Sequence, residues 1–195
     1  MRRFLSTESI ADAFNKARSD LADVGLLVDG HYLDRIECAL TAWPSGWSNE
    51  AGWVYDNGPT WLHEQVGFKP GVIYIPFDAP TQAYSPGATL TDVIRHEFAH
   101  AWYWLDRRFV DGPWFREAFG APYNAAPLHV DPDRASFVSD YAATLPKEDF
   151  AETFMYFLKY RRSLERFRTR RGVFRKLRAV EKVVRLAART RASRL

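Results

Sequence analysis

The sequence predicts an α+β protein with a small N-terminal sheet, mixed or antiparallel, and a largely helical C-terminal half. Two kinds of pattern support this fold class. The run Gly71-Val-Ile-Tyr-Ile-Pro76 is β-branched and aromatic, with a Gly before it and a Pro closing it, which is typical of a strand. Apolar residues spaced by three and four predict helices at residues 7–24, at 90–106 and beyond Lys147.

The first 70 residues predict a helix, a strand segment and turns. Ser6 or Thr7 can cap the first helix, and Gly25 can end it. Residues 36–43 are compatible with a strand. Between this segment and residue 71, turn-forming residues predict irregular structure; they are Pro44, Gly46, Asn57, Gly58 and Pro59.

Three helices are predicted in the second half of the chain. Thr89 is a good N-cap for the helix at 90–106, with Asp92 in the capping-box position. A second long helix should begin near Lys147 and run to about residue 171. Gly172 is expected to break it, and residues 173–189 form a third helical pattern.

Length and composition suit one globular domain, or one domain with a small appendage. The chain has 195 residues, of which 47% are hydrophobic and 15% aromatic, well outside the disordered class. We expect one domain at residues 1–160 and a helical extension at 161–195. The single cysteine, Cys38, excludes an intrachain disulfide and a cysteine-based metal site, and favours a reducing compartment.

The sequence contains no obvious signal for a membrane. No segment approaches the roughly 20 apolar residues that a spanning helix needs. The N-terminal segment lacks an apolar run of signal-peptide length. We therefore expect a soluble cytoplasmic protein without a membrane partner, although a leaderless secretion route would leave no mark in the sequence.

Basic charge is concentrated at the C-terminal end. Residues 159–195 contain fifteen Lys or Arg and two acids, a formal charge of +13, whereas residues 1–158 carry −10. Three interpretations of this tail are open. It binds nucleic acid or another polyanion; it folds back on the acidic body, across a cleft, as a latency or substrate-guiding element; or it is a solvated helix pair without a partner.

The segment His96-Glu97-Phe98-Ala99-His100 carries the strongest chemical signal. On a helix, positions i and i+4 share a face, so His96 and His100 can direct both imidazoles at one point. Glu97 lies beside that face, where it can reach a metal-bound water but not the metal. Two ligands and a general base on one helix are the arrangement of H-E-x-x-H zinc enzymes.

A catalytic zinc ion needs a third protein ligand. Several residues are candidates: His31, His63, His129, Asp140, Glu148, Asp149 and Glu152. Glu148 and Glu152 share one face of the predicted second helix, beside an aromatic surface where two carboxylates need a cation. We expect Glu148 to bind the metal and Glu152 to accept a hydrogen bond from a ligating histidine. Asp149 remains open as the third ligand.

With these residues in place, the sequence resembles the gluzincin branch of zinc peptidases. Tyr141-Ala-Ala-Thr-Leu-Pro-Lys-Glu148-Asp-Phe-Ala-Glu152 is similar to the catalytic domain of anthrax lethal factor, where the same spacing of Tyr, Glu and Glu follows the H-E-x-x-H helix. The similarity covers about a quarter of the chain. It departs at Asp149, where the relative has an aromatic residue.

The resemblance implies a zincin-like fold and one Zn²⁺ ion bound by His96, His100 and Glu148. It implies that Glu97 is the general base, that Tyr141 donates to the oxyanion and that Glu152 supports the ligands. For the oxyanion role, reasoning from the residues alone leaves His129 as a rival donor.

The resemblance also implies that the strand segment Val72-Ile73-Tyr74-Ile75 borders the cleft and pairs with an extended peptide or protein substrate. The predicted function is therefore a zinc-dependent peptidase that uses a zinc-activated water. The alternative is a polyanion- or nucleic-acid-binding protein that uses the basic C-terminal helices and has a structural or degenerate zinc site.

Overall fold

The computed structural model describes residues 5–28, 30, 32–41, 52–54, 67–76, 87–126 and 133–192. Its elements, in chain order, are α1 (Thr7–Asp23), β1 (Glu37–Thr41), β2 (Gly52–Val54), β3 (Val72–Pro76), α2 (Leu90–Leu105), α3 (Arg107–Val110), α4 (Pro113–Phe119), α5 (Pro146–Tyr160) and α6 (Arg171–Ala192). The architecture is α+β, as predicted. The predicted turns between residues 44 and 59 lie outside the described residues.

Helix α1 begins and ends as its sequence predicts. Ser6 and Ser9 form a reciprocal capping box, in which each backbone N–H donates to the other side chain over 3.1 Å. Gly25 follows the helix with φ of 74°, a left-handed conformation that suits glycine. The chain then reverses so that Leu26 is fully buried. Helix α1 packs its apolar face against α2.

The sheet is small and mixed, with the strand order β1-β3-β2. β3 is parallel to β1 and antiparallel to β2, so it is the central strand. All five of its residues are buried: Ile73 and Ile75 belong to the main core, whereas Val72 and Tyr74 pack with Phe68 in a second cluster. A strand buried on both faces has a continuous rather than alternating apolar pattern, which is what residues 72–75 show.

The central position of β3 bears on its expected substrate role. Its edge toward β1 is paired along residues 72–76, and its edge toward β2 is paired at residues 72–74. Pairing with an extended substrate requires free backbone N–H and C=O groups. At residues 72–74 both edges are therefore paired within the sheet, and the expected contact of residues 72–75 with an extended substrate stays a prediction.

Helix α2 lies at the centre of the fold and is mostly buried. Thr89 caps it and forms the predicted capping box with Asp92. Phe98, Ala99 and Trp102 have no exposed surface, because α2 packs against α5 on one side and α1 on another. The helix that carries the H-E-x-x-H motif is therefore packed against other helices on two sides.

A buried cluster of charges joins α1, α2 and the end of α5. Arg95 donates to Asp20, through Nε at 3.0 Å, and to Asp92 at 2.7 Å. Lys159 lies 2.6 Å from Asp92, and Arg161 lies 3.1 Å from Asp20. Asp20 and Asp92 are almost fully buried, so each carboxylate needs the paired cations around it.

The basic tail folds differently from its prediction. The second long helix, α5, ends at Tyr160 rather than near residue 171, and a 3₁₀ turn at Leu164–Phe167 follows. Leu164 and Phe167 are buried in the core, so this turn anchors the chain where it changes direction. Neither Gly nor Pro marks that change in the sequence, so the apolar spacing predicts one continuous helix across it.

Gly172 has a different role from the predicted one. It lies inside the first turn of α6, where a Cβ atom would stand 2.8 Å from the Cα of Ser136. This distance is shorter than van der Waals contact allows. Glycine therefore permits a close approach between α6 and the segment at Ser136, and does not break a helix.

Helix α6 packs along α5 and α4 through a stripe of fully buried residues. The stripe comprises Val173, Leu177, Val180, Val184 and Ala187. The predicted boundary between residues 160 and 161 remains a prediction. In the described part of the chain, no helix combines the length and apolar character needed to cross a bilayer.

Candidate metal centre

Two helices bring the candidate ligands together. His96 and His100 lie one turn apart on α2, and Glu148 and Glu152 lie one turn apart in the first half of α5. Because α2 and α5 pack along each other, the two i,i+4 pairs meet across the helix interface. The sequence predicted each pair on its own helix, and the packing of the helices makes them a single cluster.

Three ligand atoms converge within this cluster. The two Nε2 atoms of His96 and His100 are 3.1 Å apart. The Glu148 Oε2 atom lies 3.2 Å from His96 Nε2 and 3.4 Å from His100 Nε2. Ligands held about 2.0–2.1 Å from a tetrahedral zinc ion are separated by about 3.3–3.4 Å. This set of two imidazoles and one carboxylate fits zinc in both chemistry and spacing.

The second ring nitrogen of His96 is also occupied. Its Nδ1 atom lies 3.0 Å from Glu152 Oε1, and the other Glu152 oxygen accepts a hydrogen bond from the Ser139 hydroxyl at 2.7 Å. The Ser139 oxygen in turn accepts from the backbone N–H of Ala142. This chain of hydrogen bonds holds Glu152 and orients the His96 ring, as commonly seen around metal-ligating histidines.

The carboxylates of the cluster favour a positive charge between them. Burial disfavours the charged form of His96, but hydrogen bonds to Glu148 and Glu152 outweigh it and raise the pKa of His96 to about 10. Burial opposes the Glu148 carboxylate too, yet its hydrogen bonds to His100 and His96 hold the pKa of Glu148 well below its usual range. A bound cation would meet the same electrostatic demand.

Glu97 lies on α2 and is almost fully buried. Burial, followed by the Glu97 charge, raises the pKa of the Cys38 thiol on β1 to about 12. Burial raises the pKa of Tyr123, and the charges of Glu148 and Glu97 add to that effect. For His96, the Glu97 charge adds to the effect of the hydrogen bonds from that ring to Glu148 and Glu152, which outweigh burial. The Glu97 charge therefore acts on groups of the cluster and of the neighbouring strand.

Tyr141 lies beside the cluster, half-buried. Its ring centroid is 5.8 Å from that of His96. Its role as oxyanion donor stays a prediction. The rival donor His129, and the alternative ligands His31 and His63, lie outside the described residues.

The two aspartates considered as ligands point elsewhere. Asp149 lies 2.6 Å from the ammonium group of Lys176 on α6. Asp140 is exposed and pairs with Arg134. Among the described residues, the metal-compatible cluster therefore contains Glu148 and neither aspartate.

Two hydrogen-bonding partners of the cluster were missed by sequence reasoning. Tyr123 places its hydroxyl 2.5 Å from His100 Nδ1, and Ser139 holds Glu152. Tyr123 lies in an irregular segment without a motif, so no spacing relative to His100 could have indicated it. Ser139 stands two residues before Tyr141, and its hydroxyl was a weak signal without the fold.

Comparison with known proteins agrees with the geometry. No curated protein and no solved structure matches the chain at a significant level. The model of a protein family described as "Putative zinc-binding metallo-peptidase" matches residues 81–183, just over half of the chain. This span contains His96, His100 and Glu148. The chain belongs to this family of zinc-binding metallo-peptidases.

Proposed function

We propose that the protein is a zinc-dependent peptidase of gluzincin type, in which His96, His100 and Glu148 hold one zinc ion. The observation that carries this proposal is the spacing of the three ligand atoms, 3.1, 3.2 and 3.4 Å apart, close to the edges of a zinc tetrahedron. With three protein ligands, a fourth position is open to water or substrate, which distinguishes catalytic from structural zinc sites.

Glu97 is the general base in this proposal. When bound, zinc supplies a Lewis acid that polarises the substrate carbonyl and acidifies a water molecule. The Glu97 carboxylate accepts the proton of the attacking water and returns it to the leaving amine nitrogen. Its burial at 3% exposure keeps bulk water from screening this exchange.

Tyr141 and Glu152 have supporting roles. The Tyr141 phenol donates a hydrogen bond to the oxygen that gains charge as the peptide carbonyl is attacked. Glu152 accepts from His96 Nδ1, which leaves the Nε2 lone pair for the metal. We expect peptides or unfolded proteins as substrates. A peptide bond inside a folded substrate protein could not reach a site that lies between two packed helices.

The likeness to the catalytic domain of anthrax lethal factor is part of this proposal. It is supported by the position of Tyr141 beside His96 and by the separate contacts of Glu148 and Glu152 with the two nitrogens of that histidine. The departure at Asp149 has a local explanation. That side chain is directed to Lys176, so the extra carboxylate does not compete with Glu148 for the cluster.

The test combines metal content with hydrolysis. The purified protein should bind one zinc ion and hydrolyse an unfolded protein such as casein. Glu97→Gln should retain the zinc but lose about 10²–10⁴-fold in turnover, the usual contribution of general acid–base catalysis. His96→Ala should lose both, and Glu165→Gln, on an exposed turn, should lose neither. Full activity in Glu97→Gln, or no zinc in the wild type, would contradict the proposal.

A second candidate function is favoured by one feature of α6. Five cations spaced by three and four residues follow its exposed side and line a groove of about 760 Å³ beside Trp114 of α4; they are Arg175, Arg178, Lys182, Arg185 and Arg189. In this alternative the row binds a polyanion or nucleic acid, and the zinc site is structural or degenerate.

A further inference from the structure

Two residues support the candidate histidine ligands by different means. His96 Nδ1 faces a carboxylate, Glu152, whereas His100 Nδ1 faces a phenol, Tyr123, at 2.5 Å. Both Nε2 atoms point into the cluster. The ring of His100 therefore has one nitrogen for a metal and the other for Tyr123.

The tautomer of His100 decides the direction of its hydrogen bond to Tyr123. A neutral imidazole that binds a metal through Nε2 carries its proton on Nδ1. In that state, His100 Nδ1–H donates and the Tyr123 oxygen accepts. If Tyr123 donated instead, the ring proton would have to sit on Nε2, where it would block the metal.

The Tyr123 ring is held firmly enough to impose an orientation. It is 2% exposed and lies face to face with Tyr103 of α2, with ring centroids 3.4 Å apart and an angle of 4° between the planes. Phe115 of α4 and Phe150 of α5 contact its other sides. The hydroxyl therefore has little freedom to follow a rotating His100 ring.

We propose that Tyr123 is a positioning residue that fixes the orientation and the metal-binding tautomer of His100. The inference rests on the proposed function, because it concerns how His100 is prepared for zinc. It extends that function to a residue outside both motif helices. Loss of a partner of this kind typically weakens metal binding by about 10–100-fold.

The test uses Tyr123→Phe, which removes the hydroxyl and keeps the ring. The matched control is Tyr103→Phe. Tyr103 is as buried as Tyr123 and stacks on the Tyr123 ring, but its hydroxyl accepts from Asn124 and does not contact His100. Zinc affinity is measured by competition with a chromophoric chelator. We expect Tyr123→Phe to bind zinc at least about tenfold more weakly, and Tyr103→Phe to change by less than about threefold.

A spectroscopic measurement separates positioning from a general loss of packing. In zinc-loaded wild type with isotope-labelled histidine, the His100 Nδ1–H should give a slowly exchanging, downfield proton resonance in NMR spectra. This signal should shift upfield or disappear in Tyr123→Phe and persist in Tyr103→Phe. Because it is first observed in the wild type, the inference remains testable even if Tyr123→Phe does not fold.

The outcomes distinguish this inference from the function on which it rests. If the wild type binds one zinc ion but its His100 ring carries the proton on Nε2, only the role of Tyr123 is overturned. The same holds if Tyr123→Phe keeps wild-type affinity and the same resonance. If the wild type binds no zinc, the proposed function fails and this inference fails with it.

Discussion

The ammonium nitrogen of Lys176 lies 2.6 Å from a carboxylate oxygen of Asp149, and both side chains are almost fully buried. Lys176 also donates to the backbone carbonyl of Ser136 at 2.9 Å and lies 3.8 Å from the ring centroid of Phe137. A cation of the basic tail is thus bound to the residue beside Glu148 and to the segment leading to Ser139. Part of the basic tail therefore packs against the segments that carry Glu148 and Ser139.

Removing this lysine should destabilise the fold strongly. Lys176→Met leaves the Asp149 carboxylate buried without its cation, and breaking such a pair from one side costs about 3–5 kcal/mol. Urea denaturation measures the loss in the free energy of unfolding. Lys182→Met, an exposed position on the same helix, should change that free energy by no more than about 0.5 kcal/mol.

A double variant isolates the pair itself. Lys176→Met with Asp149→Leu removes both charges, and replacing a buried ion pair by apolar side chains is often nearly neutral. We therefore expect the double variant to recover most of the stability lost in Lys176→Met. Equal destabilisation in the single and double variants would show that shape at Lys176, rather than charge, holds α6 in place.

Glu152 should control zinc affinity without being a ligand. Glu152→Gln weakens the acceptor of His96 Nδ1–H, so the zinc dissociation constant should rise by about 10–100-fold. Ser139→Ala, which removes only the hydrogen bond to Glu152, should have a smaller effect in the same direction. Chelator competition measures both, with Glu165→Gln as the exposed control. Unchanged affinity in Glu152→Gln would remove Glu152 from the support of the site.

Tyr141 should affect turnover and not zinc content. Loss of one donor to an oxyanion costs about 10²–10³ in kcat, so Tyr141→Phe should fall by that factor with KM little changed. Tyr160→Phe is the control, because Tyr160 packs against Phe167 on the tail side of α5. If Tyr141→Phe retains full turnover, the oxyanion donor lies elsewhere.

The charge cluster on α1 and α2 predicts a loss of stability in acid. For Asp20, burial acts to raise the pKa, but the contacts with Lys16 and Arg95 have the larger effect and lower it. For Asp92, burial acts in the same direction, and the contacts with Lys159 and Thr89 outweigh that effect. Both pKa values are lowered in the folded state. The stabilisation is therefore complete above the unfolded pKa, about 4, and disappears as pH falls through the lower folded values.

Denaturation at a series of pH values tests this. The free energy of unfolding should decline steeply below about pH 4 in the wild type. Asp20→Asn with Asp92→Asn should be less stable at neutral pH and show a flatter decline. Asp140→Asn, which alters an exposed ion pair, should follow the wild-type slope. An unchanged slope in the double variant would assign acid sensitivity to other groups.

The alternative, polyanion-binding function predicts salt-sensitive association through α6. Glu181 pairs with Arg178 and Arg185, so Arg175, Lys182 and Arg189 are the members of the row without an ion pair in the described part of the chain. Their joint replacement by Glu should abolish binding to single-stranded DNA or heparin at low salt. In the wild type, affinity should fall linearly with the logarithm of salt concentration.

A matched charge change tests where such binding occurs. Joint replacement of three exposed cations outside the groove removes the same charge; they are Arg162, Arg168 and Arg171. Binding that survives this control and is lost with the row would support the α6 site. Equal losses in the two variants would indicate nonspecific attraction, and no binding at low salt would end this alternative.

The site was predictable where the signal is local. The helix of α2 was predicted from its cap at Thr89 and its apolar spacing, and it extends to within a residue of the expected end. His96 and His100 share a face because of helix geometry alone. Glu148 and Glu152 followed from the same rule, helped by a resemblance to known enzymes. Residues that act through spacing along one helix are visible in a sequence.

Two features of the C-terminal tail were not predictable from local spacing. Apolar spacing correctly predicted helices on either side of residue 165, but not the 3₁₀ turn between them, because buried Leu164 and Phe167 rather than Gly or Pro create it. Gly172 was interpreted as a helix breaker and instead accommodates Ser136. Contacts between segments far apart in the chain determine both features.

By itself, the sequence determined two helices, each with a pair of ionisable residues on one face, because helical periodicity depends only on neighbouring residues. Tertiary structure alone decided that these faces meet, that Asp149 turns to Lys176 and that Tyr123 reaches His100. The physical reason is that burial makes an unpartnered charge or hydrogen-bonding group costly. Such partners come from any part of the chain that packing brings close.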